Sequence, residues 1–194
     1  MTTQRRRGPA LATPAKPTGF PSWLSRDVVL LDGRTVFVRP VLPTDVDELR
    51  RAIAHADPAS VRSRFLGGSP PSHDQELGRL VNLDYDRRLA VVALSPVGRG
   101  VGIARYEAES GADIAEVAVD PAWRHIGLAT ALVRVLAAGA VSSGIHRLSA
   151  IFFDANQDVR DLFIDAGLSY QTTPASAGVV TAEVMLPTDP ADLL

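Results

Sequence analysis

The clearest pattern of apolar and polar positions runs over residues 116–144 and changes its period once. Val117 and Val119 alternate with other residues, as in a strand. Asp120-Pro121 ends that strand because proline has no N–H for a ladder. Beyond residue 127, apolar residues recur at helical spacing, namely Leu128, Leu132, Val135 and Leu136. The pattern predicts a strand, a tight turn and a long helix that ends near Gly144.

The rest of the chain shows the same two periods. Asp32-Gly33 between apolar runs predicts a hairpin. Helix signals begin at Thr44, at Pro58 (residues 58–65), at the capping box Ser72-His73-Asp74-Gln75 and at Gln157. Predicted strands cover residues 28–31, 35–38, 89–94, 101–107, 114–119, 148–153, 170–173 and 179–186. Short turns make the strands between 89 and 119 antiparallel, and the long helix makes the next strand parallel. We expect a mixed, mostly antiparallel α/β sheet with helices on both faces.

The two ends of the chain lack this periodicity. Residues 1–22 contain several prolines among small and polar residues, which predicts a flexible tail. Phe20 and Trp23 are the residues expected to fix its end to the domain. We expect one domain over residues 23–188, without internal repeats, and a short C-terminal tail over residues 189–194.

Composition limits the class of protein. Of the 194 residues 46% are apolar, which fits a globular domain, and the net charge of −2 disfavours nucleic acid or a membrane surface as partner. The absence of cysteine excludes disulfides, thiolate catalysis and cysteine-ligated zinc. The four histidines lack metal-ligand spacing, so we expect no metal. No apolar run is long enough to span a membrane, and no signal peptide follows Arg5-Arg6-Arg7, so we expect a cytoplasmic protein.

The turn between the central strand and the long helix has the chemistry of an anion site. A helix N-terminus presents backbone N–H groups and the positive end of the helix dipole. Gly127 and Ala129 are small enough to let a phosphate approach the backbone, and Arg124 adds a positive charge. These residues predict a site for a phosphate or pyrophosphate.

Residues 119–168 resemble the acyl-CoA-binding core of the GNAT (general N-acetyltransferase) superfamily. The resemblance rests on the Arg124-x-x-Gly127-x-Ala129 turn, on Asp154-Ala155-Asn156 and on Ala166-Gly167-Leu168. It implies the GNAT fold with a splayed cleft, and acetyl-CoA as co-substrate without a metal. It also implies that strand backbone, turn and helix start hold the cofactor, together with one asparagine. The implied cofactor-binding residues are Val117, Ala118, Val119, Arg124, His125, Ile126, Gly127, Leu128, Ala129, Thr130 and Asn156.

Three of these positions have a second interpretation. The family turn usually carries Gly or Arg where this chain has His125 and Ile126, so weaker CoA binding is one expectation. Asn156 either contacts the CoA arm or caps the helix that begins at Gln157, and the two roles can coexist.

The N-terminal half resembles the bacterial protein lysine acetyltransferases. The matching segments are Val38-Arg39-Pro40, Ser60-Val61-Arg62-Ser63-Arg64-Phe65 and Leu83-Asp84-Tyr85-Asp86-Arg87-Arg88. This resemblance implies a protein lysine as acceptor. A small amine as acceptor, and a CoA-binding regulatory protein without turnover, are the alternatives. We expect a monomer or homodimer.

Two carboxylates are candidates for the general base that an ammonium acceptor needs, because an ammonium has no lone pair. Glu116, within Ala115-Glu116-Val117-Ala118, resembles the catalytic Glu of the lysine acetyltransferases, with two fewer residues before the turn. Counting back from Arg124 favours Asp113 instead. Water or a base from another loop is the third possibility.

The resemblance also bears on which groups stabilise the oxyanion and protonate the leaving thiolate. The amide of Val119 is the expected donor to the oxyanion. Phe163 stands where other members of the superfamily have a tyrosine as general acid. Water or Tyr85 then remains as the proton source for the leaving thiolate, with Tyr85 otherwise shaping the acceptor channel or packing.

Overall fold

The structure is a computed structural model that describes residues 16–58, 73–109, 112–174 and 176–194. Side chains at positions 109 and 112–114 are outside the description. Most of the predicted helix at residues 58–65, the cap residue Ser72 and residues 1–15 of the predicted tail also lie outside the described residues.

One mixed sheet organises the described residues. Its eight strands are β1 (Arg26–Val29), β2 (Thr35–Pro40), β3 (Arg88–Leu94), β4 (Gly100–Glu109), β5 (Ala112–Val119), β6 (Arg147–Phe153), β7 (Ser169–Thr172) and β8 (Val179–Met185). Their order in the sheet is β1-β2-β3-β4-β5-β6-β8-β7. Only the β5–β6 pair is parallel among these neighbours. The predicted sheet is confirmed, and strand ends differ from the predicted ones by at most two residues.

Four α-helices within the described ranges cover the sheet on both faces. They are α1 (Val46–Ala54), α2 (Asp74–Val81), α3 (Leu128–Ser142) and α4 (Gln157–Asp165). The main core lies under α3 and α4, where Leu132 of α3 and Phe163 of α4 are buried. A smaller core lies under α1 and α2 and includes Leu49 and Leu77.

The sheet divides at the β5–β6 pair. The two strands are in register at a single pair of residues, Ile114 and Ser149. β5 continues to Val119 and β6 to Phe153, and no further pairing joins these carboxyl ends. Parallel strands that pair only at their beginning diverge toward their carboxyl ends, so an opening forms there.

Both chain ends within the described residues pack on the domain. Phe20 contacts the ring of Tyr85 edge to face, with ring centroids 5.5 Å apart, as the sequence suggests. Leu24 is fully buried, whereas Trp23 is 46% exposed, so Leu24 fixes this segment and Trp23 does not. The residues predicted to form a C-terminal tail include a 3₁₀ turn, Pro190–Leu193, whose Leu193 is buried. The carbonyl of Leu193 accepts a hydrogen bond from Nε of Arg134 on α3 at 3.0 Å.

Candidate active site

The opening between β5 and β6 continues into a cleft with a volume of about 1260 Å³. Its walls are the end of β5, the start of α3, the end of β6 and the start of α4. Every cofactor-binding residue expected from the sequence lines this cleft, and so does Glu116. Residues from positions 116 to 156 therefore meet at one place because β5 and β6 separate.

The backbone of β5 alternates between its neighbours. The N–H of Asp120 donates to the carbonyl of Val101 at 3.0 Å. The backbone N–H and C=O groups of even-numbered residues in this strand therefore point toward β4. By the alternation of an antiparallel ladder, the N–H and C=O groups of Val117 and Val119 point toward β6. Beyond the Ile114–Ser149 pair β6 has diverged, and these groups face the cleft.

Residues 120–127, which we call the phosphate turn, are shaped by their own side chains and torsions. The Asp120 carboxylate accepts a hydrogen bond from Ala122 N–H at 2.9 Å and so begins a 3₁₀ turn over Pro121–Trp123. Two residues then have positive φ angles, 58° at His125 and 84° at Gly127. Gly127 is the N-cap of α3, so the unpaired N–H groups of the first helical turn border the cleft.

Arg124 lines the cleft, and two of its polar contacts lie within the described residues. Its Nη2 pairs with Oδ2 of Asp57 at 3.0 Å, and its Nε donates to the Val119 carbonyl at 3.4 Å. The side chain is 37% exposed. An exposed ion pair of this kind contributes little to stability.

The residues present fit a nucleotide-linked thioester arm. The start of α3 and Arg124 suit a pyrophosphate, because they combine a helix N-terminus with a permanently charged guanidinium. The cleft-facing backbone of Val117 and Val119 suits an extended arm with amide groups, which can pair as an added strand would.

Asn156 takes the N-cap position of α4, but its side chain makes no capping hydrogen bond there. It lines the cleft. Its contact with a bound arm stays a prediction.

The two candidate bases lie in the same strand. Glu116 is half-buried, lines the cleft and is the register partner of Arg105 on β4. Asp113 is paired with Ala108 near the start of β5, and the description of this residue is limited to its backbone. Only Glu116 can thus be placed at the cleft by its side chain.

Comparisons with known proteins identify the family. Residues 54–167 match the sequence profile described as the acetyltransferase (GNAT) family. The chain belongs to the GNAT family of acetyltransferases. An acetyltransferase of Pseudomonas aeruginosa is 32% identical over 148 residues, which are 74% of this chain and 80% of that protein.

Solved GNAT structures share the fold. The GNAT domain of PAT from S. lividans is 31% identical, has a TM-score of 0.75 and is matched over 86% of this chain and 99% of that one. A phosphinothricin acetyltransferase of Sinorhizobium meliloti, solved in complex with AcCoA, is 18% identical with a TM-score of 0.60 over 80% and 91% of the two chains. The protein is thus a GNAT N-acetyltransferase, and this family uses acetyl-CoA.

The described residues offer neither a membrane-spanning helix nor a metal-binding cluster. They contain no helix long and apolar enough to cross a membrane. They also contain no group of three or more His, Cys, Asp or Glu side chains that could hold a metal ion.

Tyr85 is not the general acid that the sequence allowed it to be. The residue is buried, and its hydroxyl donates to the Val41 carbonyl at 2.9 Å. Burial raises the pKa of this hydroxyl. Tyr85 therefore serves packing, in a segment whose turn is closed by the Asp84 carboxylate accepting from the N–H groups of Asp86 and Arg88.

The tip of the β1–β2 hairpin contacts the phosphate turn, which sequence analysis missed. Leu31 lines the cleft, and Arg34 donates two hydrogen bonds to the carbonyl of Ala122. Eighty-eight positions separate Arg34 from Ala122 in the chain. No local pattern in the sequence signals a contact over that separation.

Proposed function

We propose that this GNAT enzyme transfers the acetyl group of acetyl-CoA to a lysine side chain of a protein. The observation that favours a macromolecular acceptor is the sheet face beside Glu116 and over β6 and β8, where none of the described helices covers β6 and β8. A small acceptor is normally enclosed in a concave pocket, whereas a protein substrate needs an accessible surface. The resemblance of residues 83–88 to the lysine acetyltransferases supports the same acceptor.

Strand alternation defines which face of the sheet Glu116 occupies. A Cβ added at Gly102 would lie 2.9 Å from Cδ1 of Leu132, so Gly102 faces α3. Its register partner Val119 faces α3 as well, and Glu116, three positions earlier, faces the opposite side. The acceptor then approaches from the side of the sheet that α3 does not cover.

The same face continues over β6 and β8 without a covering helix among the described residues. Ser149 is in register with Ile114, two positions before Glu116, and Ile151 follows on the same face. Ile151 is 41% exposed, and Met185 on β8 is 48% exposed. Arg147 and Glu183, which form an exposed ion pair at 3.7 Å, border these apolar residues. A surface with an apolar centre and charged surroundings suits the side chains that flank a lysine in a protein.

The chemistry requires two transfers of protons and one of an acetyl group. Glu116 takes a proton from the lysine ammonium, directly or through one water, which frees the nitrogen lone pair. The nitrogen forms a bond to the thioester carbonyl carbon, and the Val119 N–H stabilises the resulting oxyanion. The carbon–sulfur bond then breaks, CoA leaves with the electron pair of that bond, and the nitrogen gives its second proton to water, which leaves a neutral amide.

Water supplies the proton that the leaving thiolate takes up. Phe163, at the position of the tyrosine acid in other family members, is buried against Phe152 and Tyr170 and has no proton to give. The hydroxyls of Tyr85 and Tyr106 donate to backbone carbonyls instead. A CoA thiol is acidic enough to leave without a strong acid, as the free thiol of cysteine indicates with a pKa of about 8.5.

An acetyl-CoA turnover assay with matched acceptors tests the proposal. Lysine peptides and cell proteins should be acetylated, identical peptides with arginine at the lysine position should not, and small amines should react more slowly. Lys16 is the single lysine of the enzyme, so a Lys16→Arg variant removes side-chain self-acetylation from the background. Turnover of small amines alone would contradict the protein acceptor, and CoA binding without any turnover would indicate a regulatory protein.

A further inference from the structure

The tip of the β1–β2 hairpin, residues 31–34, contacts the phosphate turn at both ends. Both Nη atoms of Arg34 lie 3.2 Å from the carbonyl of Ala122, at the beginning of the turn. Leu31 N–H donates to the carbonyl of Ile126 at 3.1 Å, just before the N-cap of α3. These three bonds join the hairpin tip to the two peptide groups that flank the bend.

Arg34 is itself held in place by two further contacts. Its guanidinium lies over the ring of Trp123, 4.2 Å from the centroid, which is a favourable cation–π geometry. Its Nε donates to Oδ2 of Asp32 at 2.6 Å, and its backbone N–H donates to Oδ1 of the same carboxylate. The planar guanidinium can make the stacking contact and the paired hydrogen bonds together, which a lysine cannot.

The phosphate turn needs such support because of its backbone torsions. His125 has a φ of 58°, in the left-handed region where side chains with a Cβ are disfavoured. Such a conformation persists only when the surrounding structure constrains it. The contacts of Arg34 and Leu31 lie on either side of His125 and supply that constraint.

Leu31 also limits the space at the start of α3. A Cβ added at Gly127 would lie 3.3 Å from Cγ of Leu31, although the leucine side chain is 85% exposed overall. An exposed leucine is held there by its backbone bond to Ile126 and not by burial. Its side chain therefore forms a wall of the cleft beside the N–H groups of α3.

We propose that Arg34 is a positioning residue for acyl-CoA, which fixes the phosphate turn in its anion-binding conformation through the Ala122 carbonyl. This inference rests on the proposed location of the CoA pyrophosphate at the start of α3. It also explains how a turn with His125 and Ile126, in place of more permissive residues, keeps the geometry that the site requires. Contacts from the hairpin tip hold His125 in a left-handed backbone conformation that a glycine would adopt without such support.

The test compares Arg34→Ala with Arg34→Lys and with the control Arg50→Ala. Arg50 is similarly exposed, 46% against 40% for Arg34, and pairs with Asp47 and Asp74, and none of these three residues lines the cleft. Arg34→Ala should raise the KM for acetyl-CoA and the Kd for CoA about tenfold, which corresponds to ~1.4 kcal/mol. The value of kcat should change less than about twofold, because groups at the thioester are untouched. Arg34→Lys should resemble Arg34→Ala, and Arg50→Ala should resemble the wild type.

A second acetyl donor distinguishes a positioning role of Arg34 from a general loss of structure. S-acetylpantetheine has the same thioester arm without the pyrophosphate, so its kcat/KM should be alike in wild type and Arg34→Ala. Equal losses with both donors would overturn the proposal, and so would an unchanged Kd for CoA.

Hydrogen exchange of the ligand-free protein tests the inference independently of turnover. Amides of residues 122–127 should exchange faster in Arg34→Ala than in wild type, with other amides unchanged. Unchanged exchange in this segment would overturn the positioning role even if wild type proved inactive, whereas a wild type without CoA binding would overturn the proposed function alone.

Discussion

Glu116 and Arg105 are register partners on β5 and β4, and Arg105 also pairs with Glu107 on its own strand. If Glu116 is the general base, Glu116→Gln should lower kcat by about 10²–10⁴-fold, the usual contribution of a positioned base. The KM for acetyl-CoA should hardly change, because the proposed contacts of the cofactor come from backbone and turn groups. Steady-state kinetics with a lysine peptide measure both constants, and glutamine preserves size and polarity.

Asp113→Asn is the matched control for this assignment. Asp113 and Glu116 are three positions apart in β5, and odd and even positions of a regular strand belong to opposite faces of a sheet. An inactive Asp113→Asn enzyme beside a normal Glu116→Gln enzyme would transfer the role to Asp113. Normal rates in both variants would leave water, or a base from another loop, as the proton acceptor.

Tyr106 should make stability depend on alkaline pH. The ring is buried and its hydroxyl donates to the Asp86 carbonyl at 2.8 Å. Burial raises the pKa of Tyr106 to about 12, above the unfolded value of about 10. The folded state therefore retains a proton that the unfolded state has lost between these values. Stability should fall from about pH 10 to pH 12, by up to about 2.7 kcal/mol, and be unaffected by this group below pH 10.

Urea unfolding at pH 8 and pH 11 measures this effect. Tyr106→Phe should be less stable than wild type at pH 8 by about 1 kcal/mol, because the hydrogen bond is lost. The difference should shrink or reverse at pH 11, since phenylalanine has no proton to lose. A parallel decline in both proteins would assign the pH dependence to other groups.

Site residues that lie in adjacent elements of the chain could be predicted from sequence. Arg124, Gly127 and Ala129 were found because a strand end, a turn and a helix start follow one another directly. Arg34 was not found, since its partner Ala122 is distant in the chain and an Asp-Gly hairpin predicts only its own strands. The sequence could not decide between Glu116 and Asp113 as general base either. Strand periodicity places both residues in β5 but does not show where β5 separates from β6 to form the cleft.

Helix α3 packs closely against β3 at Gly139, which has no side chain. A Cβ at Gly139 would lie 2.3 Å from Cδ2 of Leu89 and 3.2 Å from Cδ1 of Leu24, both fully buried. Gly139→Ala should therefore destabilise the protein by about 1–3 kcal/mol from overpacking, reduced by up to about 1 kcal/mol of gained helix propensity. Denaturant unfolding measures the change.

Gly78→Ala in α2 is the matched control for Gly139→Ala. Its added Cβ would meet only Nδ2 of Asn82, at 3.7 Å, which is an ordinary contact. The same substitution should then raise stability by about 0.5–1 kcal/mol through helix propensity alone. Equal effects at the two sites would show that Leu89 and Leu24 adapt and that the close contact is not limiting.

Strands with strong periodicity were predicted to within two residues, whereas the position of β8 between β6 and β7 was not predicted. The parallel β5–β6 pair was expected because a long helix connects the two strands. Packing of the chain ends was the weak point. Leu24, not Trp23, is buried, and Leu193 is buried within a predicted tail, because a single apolar residue shows no period.

At the scale of the molecule, one residue pair and the packing of α3 hold the two parts of the sheet together at the cleft. A ligand that pairs with the free edge of β5 and with the start of α3 should therefore stabilise the whole fold. At a hundredfold excess over its Kd, acetyl-CoA should add about 2.7 kcal/mol to the free energy of unfolding. For a chain of this length, that amounts to a rise of about 5–10 °C in Tm.

Two substitutions at Gly127 show whether this rise depends on the phosphate turn. Gly127 has a φ of 84°, so Gln and Glu should both strain the backbone and lower Tm without ligand by a similar amount. Only Gly127→Glu adds a negative charge at the expected position of the pyrophosphate, so it should abolish the rise in Tm, while Gly127→Gln should keep part of it. Thermal melts of both variants with and without acetyl-CoA measure the four Tm values. Equal rises in the two variants would mean that the phosphates bind elsewhere, and no rise in wild type would contradict the cleft as the acetyl-CoA site.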